Sequence, residues 1–202
     1  MINKKVVIHH TAIKQDGKNQ YDRVNNIHKS KGFIRSNLTG SYVGYHYLVE
    51  QDGTIKKNKG LDEVGCHNNA YDPVAGTAYN YSSIGISLAG NFEVDTPTKK
   101  QLDAVKTILS TIKQSIGIVK YDENNLFYHK DTKATLCPGK HMPYKSYFYD
   151  KETINTSLLS EAWHKVSDFR GIYDTKITAD QVKQLENIQV LLGEVASSIR
   201  NL

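Results

Sequence analysis

Residues 6–12 read VVIHHTA, a β-branched run that stops abruptly at two histidines. Val6, Val7 and Ile8 suit a buried strand, and that strand would deliver His9, His10 and Thr11 as polar groups at its end. The arrangement returns further along the chain. Leu126-Phe127-Tyr128 predicts another strand, His129 closes it, and the loop beyond contains Cys137-Pro138-Gly139. Three soft or borderline metal ligands, His9, His129 and Cys137, therefore sit at strand ends or in the loop after one. Zinc favours imidazole and thiolate, and a catalytic zinc site keeps three protein ligands with a fourth position open for water. Residue types alone leave a bland alternative standing, because there are 8 histidines and many false triples. In that alternative the three are a surface histidine, a hydrogen-bonded histidine and a packing cysteine.

Between these two stretches the chain alternates strand and helix signals. Tyr21, Val24 and Ile27 recur at helical spacing, with Gly32 as the expected stop. Tyr45 to Val49 and Thr54-Ile55 flank Asp52-Gly53, a strong hairpin signal. Residues 60–82 are rich in Gly, Asn, Asp and Tyr without a period, which predicts a long loop. Ile84, Ile86 and Leu88 alternate as a half-buried strand. A helix follows, capped either by Thr96 ahead of Pro97 or by Thr98 with Gln101 in a capping box. Its buried stripe is Leu102, Val105, Leu109, Ile112 and Ile116, and Gly117 ends it. The alternation predicts α/β or α+β with a mixed sheet.

The chain has 202 residues, 39% of them hydrophobic and 23% charged, with 14 Gly and 4 Pro, which excludes collagen-like and low-complexity classes. That length fits one domain with an extension rather than two full domains. Only Cys66 and Cys137 are present, too few for a disulfide scaffold. No stretch resembles a secretory signal or a membrane span, so the expectation is synthesis in a cytoplasm without stable membrane insertion. Net charge is +5, and the basic excess lies in residues 1–150, with 20 Lys+Arg against 14 Asp+Glu. Such an excess favours anionic surfaces such as nucleic acid or cell wall. Nucleic acid is the weaker reading, since no helix carries a Lys/Arg stripe with interleaved aromatics. Thirteen tyrosines suit a groove for a polar, extended ligand.

Seven strings fall in one order: VVIHHTA at 6–12, IHKSKGF at 27–33, GYHYLVEQDGTI at 44–55, VGCHNNA at 64–70, NYSSIGISLAGNF at 80–92, the helix from Thr96, and HKDTKATLCPG at 129–139. In that order they resemble the zinc-dependent N-acetylmuramoyl-L-alanine amidases, the group that includes phage lysozyme-type amidases and the peptidoglycan recognition proteins. The resemblance implies an α/β fold, a single zinc amidase domain over residues 1–148 with a central mixed sheet flanked by helices. It implies zinc bound by His9, His129 and Cys137. It also implies hydrolysis, by zinc-activated water, of the amide between N-acetylmuramic acid and L-alanine in peptidoglycan. Tyr45, of the GYH string, takes the family's catalytic position beside the scissile carbonyl, and His67 and Asn80 fall where the family lines its substrate groove. His28 and His46 look structural, Asp131 looks like a loop-orienting residue, and Cys66 beside His67 is a poor nucleophile pair. One departure stands out. Phage lysozyme-type members carry a Lys two residues before the cysteine ligand; here Thr135 stands there, as it can in active recognition proteins, which implies that oxyanion stabilisation rests more on zinc and Tyr45, with the Thr135 hydroxyl as a further donor.

Residues 149–202 read as a helical extension. Leu185, Ile188, Leu192, Val195, Ile199 and Leu202 follow an a/d seam, which suits packing on the amidase domain, wall targeting or a homo-oligomer. Three functions are consistent with these readings. The leading one is a bacteriolytic phage endolysin, made in the host cytoplasm and acting on the wall after release. The others are a non-catalytic peptidoglycan receptor, which Cys137 argues against, and a cytoplasmic muropeptide-recycling amidase, which the family links to an acidic third ligand.

Overall fold

The computed structural model of the protein describes residues 5–150. The seam at 185–202 and the extension from 151 onward lie outside the described residues. The strands are β1 (Lys5–His10), β2 (Tyr47–Val49), β3 (Ile55–Lys57), β4 (Tyr71–Asp72), β5 (Thr77–Ala78), β6 (Ser83–Leu88) and β7 (Leu126–Tyr128). The helices are α1 (Tyr21–Ser30), α2 (Tyr79–Ser82), α3 (Lys99–Ile116) and α4 (His129–Thr132), with a 3-10 turn at Lys145–Phe148. Five strands form a mixed sheet in the order β3-β2-β6-β1-β7, parallel except for the edge strand β3. The alternation left α/β and α+β open; the mixed sheet it predicted is present, in the α/β class that the resemblance implied.

Alternate side chains of the sheet serve two cores. Val6 and Ile8 of β1, Ile84, Ile86 and Leu88 of β6, and Leu126 and Tyr128 of β7 pack with Val105, Ile108, Leu109 and Ile112 of α3. A smaller cluster joins Leu48 of β2 to Val24 of α1 and Val43. Helix α3 starts at the second of its two possible caps. Gln101 N donates to Thr98 Oγ1 and Thr98 N donates to Gln101 Oε1, each at 3.1 Å. It stops at Gly117, whose φ of 67° an L side chain resists.

Two expectations change. Strand β6 is buried over all six residues rather than half-buried. Ser83, Gly85 and Ser87 keep its second face small, and a Cβ on Gly85 would lie 2.6 Å from the His67 ring. The expected loop at 60–82 contains the β4–β5 ribbon and α2. Buried Asp72 ties it together, accepting from Lys5 Nζ at 2.7 Å, Ser82 Oγ at 2.7 Å and Val74 N at 3.1 Å. A buried carboxylate with that many donors satisfies its lone pairs as well as its charge. Periodicity has no signature for such a knot.

The Asp52-Gly53 hairpin forms as expected, with Gly53 at φ 87° and Glu50 N donating to Thr54 O at 2.9 Å. The carboxylate of Glu50, fully buried, accepts from Gln20 N at 2.8 Å and from Tyr21 N at 2.9 Å. It thereby caps the N-terminus of α1 from a distant turn, in place of a local Ser or Asp.

Candidate metal centre

Strands β1 and β7 are parallel neighbours with Ile8 opposite Tyr128, so the residues that follow, His9 and His129, arrive at the same end of the sheet. The loop after α4 then carries Cys137 back to them. Lys130 N donates to Cys137 O at 2.9 Å, and His141 N donates to Phe92 O at 2.9 Å. Gly139 presses on Phe92 so closely that a Cβ would lie 2.4 Å from its carbonyl carbon. Asp131 accepts from Tyr128 N at 2.7 Å and pairs with Lys145 at 2.8 Å, a loop-orienting role. One ligand atom from each of His9, His129 and Cys137 lies within 4.8 Å of the others. His10 N donates to Cys137 Sγ at 3.4 Å, and the His9 and His129 ring centroids are 4.5 Å apart.

The chemistry of the cluster fits a zinc-type ion. His129 Nε2 is buried without a hydrogen-bond partner, an expensive state for a ring nitrogen unless something outside the protein satisfies it. Two imidazoles and a thiol are the borderline-soft donor set that selects zinc. Burial, then the neighbouring His67, His129 and His10, hold His9 well below the usual histidine range, so its ring is neutral. Burial likewise lowers His129 to about 4 and raises the Cys137 thiol to about 12. Binding a divalent cation here would displace the thiol proton.

Tyr45 stands beside the cluster, half-buried, with its ring centroid 5.3 Å from that of His9. Burial, and then the nearby Cys137 sulfur, raise its phenol above the usual range, so it stays a protonated donor. Thr135 Oγ1 accepts from Cys137 N at 3.2 Å, which leaves its own hydroxyl proton available.

His67 and Asn80, expected in the substrate groove, both make hydrogen bonds within the protein. His67 is buried, with His9 Nε2 3.1 Å from its Nδ1 and the Ser83 carbonyl 3.4 Å from its Nε2. Asn80 Oδ1 accepts from His67 N at 2.7 Å and from Asn68 N at 2.6 Å. Tyr71, Val74 and Tyr81, within the segment expected as a long loop, are exposed.

The other histidines expected to be structural are hydrogen-bonded to backbone. Gly44 N donates to His28 Nδ1 at 3.0 Å, and His28 stacks on Phe33. His46 Nδ1 accepts from Gly85 N and its Nε2 donates to Glu63 O, both at 3.0 Å. Sequence reasoning missed the His9–His67 contact because 58 residues separate the two. The available signal was Gly65 and Gly85, both bare where the His67 ring lies.

Residues 2–140 match the family model described as N-acetylmuramoyl-L-alanine amidase. A peptidoglycan-recognition protein of Drosophila simulans is 33% identical over 100 residues, which is 50% of this chain and 50% of that protein. Peptidoglycan-recognition protein SC2 of Drosophila melanogaster is 29% identical over 133 residues, which is 66% of this chain and 66% of that protein. The chain thus aligns with only part of the length of these curated relatives, about half of the first. Among solved structures, N-acetylmuramoyl-L-alanine amidase LysC from Clostridium intestinale URNW shares the fold at a TM-score of 0.56 and 24% identity, over 73% of this chain and 83% of that one. Peptidoglycan recognition protein-LE, solved with tracheal cytotoxin, a monomeric diaminopimelic acid-type peptidoglycan, matches at a TM-score of 0.55 and 27% identity over 70% of this chain and 77% of that one. The chain belongs to the N-acetylmuramoyl-L-alanine amidase family.

Proposed function

We propose that the protein is an active, zinc-dependent amidase that hydrolyses the bond between the lactyl group of N-acetylmuramic acid and L-alanine in peptidoglycan. The observation that carries this is the convergence of His9, His129 and Cys137 with an orphaned ring nitrogen among them. A binding-only relative has no need to keep a thiol at that position. Zinc, when bound, supplies an acidified water and a Lewis acid for the scissile carbonyl.

The chain's own residues then have distinct tasks. Tyr45 donates its phenolic proton in a hydrogen bond to the oxygen that becomes negative as the amide carbon turns tetrahedral. Thr135 holds the Cys137 backbone through its oxygen and offers its hydroxyl proton to the same developing charge. The basic excess of residues 1–150 favours approach to an anionic wall. The setting we propose is that of an endolysin, lysing a bacterial host from within after release. Tail residues beyond 150 are proposed to raise retention on the wall rather than to enter the chemistry.

Digestion of purified peptidoglycan, followed by mass analysis of the fragments, tests the reading. Free amino termini on L-alanine are the expected product. Tight binding without any fragment would instead support the receptor reading, which the relative solved with a monomeric peptidoglycan makes the natural rival.

A further inference from the structure

His9 and His67 meet edge-on, with ring centroids 5.1 Å apart and planes at 76°. His9 Nε2 is 3.1 Å from His67 Nδ1, and His67 Nε2 is 3.4 Å from the Ser83 carbonyl oxygen. A carbonyl oxygen only accepts, so the proton of His67 sits on Nε2. Its Nδ1 is then a lone pair, and His9 Nε2 has to be the donor to it. That places the His9 proton on Nε2 and leaves the lone pair on Nδ1, the atom 3.7 Å from Cys137 Sγ. We propose that His67 is a positioning residue for the metal: it holds His9 in the Nε2–H tautomer, with Nδ1 free as the ligand atom.

Metal-bound histidines usually hand their second N–H to a carboxylate, a carbonyl or water, which fixes the ring and its tautomer. Here a second imidazole takes that place and relays the hydrogen bond to the Ser83 carbonyl. The relay is held on several sides. A Cβ on Gly65 would come within 2.4 Å of His67 Cδ2, and one on Gly85 within 2.6 Å of Cδ2 and Cγ. His67 N donates to Asn80 Oδ1 at 2.7 Å. His46, its centroid 5.8 Å from that of His67, is pinned in turn by Gly85 N and Glu63 O. With His67 only 7% exposed, little of it is left to meet a substrate.

This inference deepens the zinc reading and rests on it. Two measurements on the full chain test it. Long-range nitrogen–proton NMR on the zinc-loaded, unsubstituted protein should find the His9 proton on Nε2; a proton on Nδ1 overturns the proposal. Chelator competition should show zinc affinity falling about 10- to 100-fold in His67→Leu, with most of it restored in His67→Asn, whose Oδ1 still accepts near the former Nδ1. A folded His67→Leu protein with wild-type affinity overturns it equally. If His67→Leu does not fold, the tautomer measurement decides alone. Failure of the zinc reading looks different, because the unsubstituted chain would then take up no zinc.

Discussion

Cys137 Sγ and His9 Nδ1 stand 3.7 Å apart although 128 residues of chain separate them. The parallel pairing of β1 with β7 brings His9 next to His129, and the clamp of the following loop on Phe92 returns the thiol to both. One zinc per chain is therefore expected in the purified protein, with activity lost to chelation and regained on adding zinc. Cys137→Ser exchanges a soft ligand for a hard, weakly acidic one and should lose most bound metal. Full zinc content and full lysis in that variant would refute the ligand set.

Tyr45 is expected to act as a donor rather than as packing. Tyr45→Phe keeps the ring beside His9 and deletes only the hydroxyl. Loss of one oxyanion donor costs about 100- to 1,000-fold in turnover, so single-turnover rates on the zinc-loaded variant should fall into that range. A loss under about threefold would leave the phenol without a catalytic task.

Acid should destabilise the zinc-free protein well before its carboxylates titrate. Burial lowers His28 and His46 to about 4 and His67 to about 3, against an ordinary value of 6.5. The unfolded chain binds protons there that the folded one refuses, so stability is complete above pH 6.5 and is lost as pH falls toward 4. For a group as buried as His46 the lowering corresponds to about 3 kcal/mol. Urea midpoints measured from pH 7 to pH 4 should drop steadily. A flat profile would mean that these rings are protonated in the fold.

Glu50→Ala should cost about 1–3 kcal/mol of stability, because the N–H groups of Gln20 and Tyr21 lose their acceptor. Chemical denaturation reads this directly. Zinc stoichiometry should stay at the wild-type value, since Glu50 touches no member of the metal cluster. An unchanged denaturation midpoint would show that water replaces the cap at no cost.

A chain ending after Asp150 is expected to fold, bind zinc and cut soluble muropeptides at a near-normal rate, while losing efficiency on whole cells. Every proposed ligand lies before that point, in a compact unit that ends at Asp150. The cut must spare Asp150 itself, whose carboxylate accepts from Tyr121 N at 2.8 Å and pairs with Lys113 at 2.7 Å. Insolubility or metal loss in the shortened chain would place residues beyond 150 in the amidase core.

Local pattern determined much of this protein from the sequence alone. The β-branched run before His9, the Asp52-Gly53 turn, and the stripe and Gly117 stop of α3 each encode backbone conformation within a few residues, so each could be read directly. The ligand candidates were legible through the order of the seven strings, since residue types alone left a structural alternative standing: His10, at the same strand end as His9, accepts a hydrogen bond from Phe92 N. Tertiary structure alone decided which groups satisfy the buried polar atoms. It gave α1 its cap from Glu50, knotted Lys5 to Asp72, chose Thr98 over Thr96, buried the second face of β6 under histidines, and set His67 against His9. A buried donor or acceptor must be paired, but its partner is whichever group packing brings within about 3 Å, and packing depends on contacts remote in the chain.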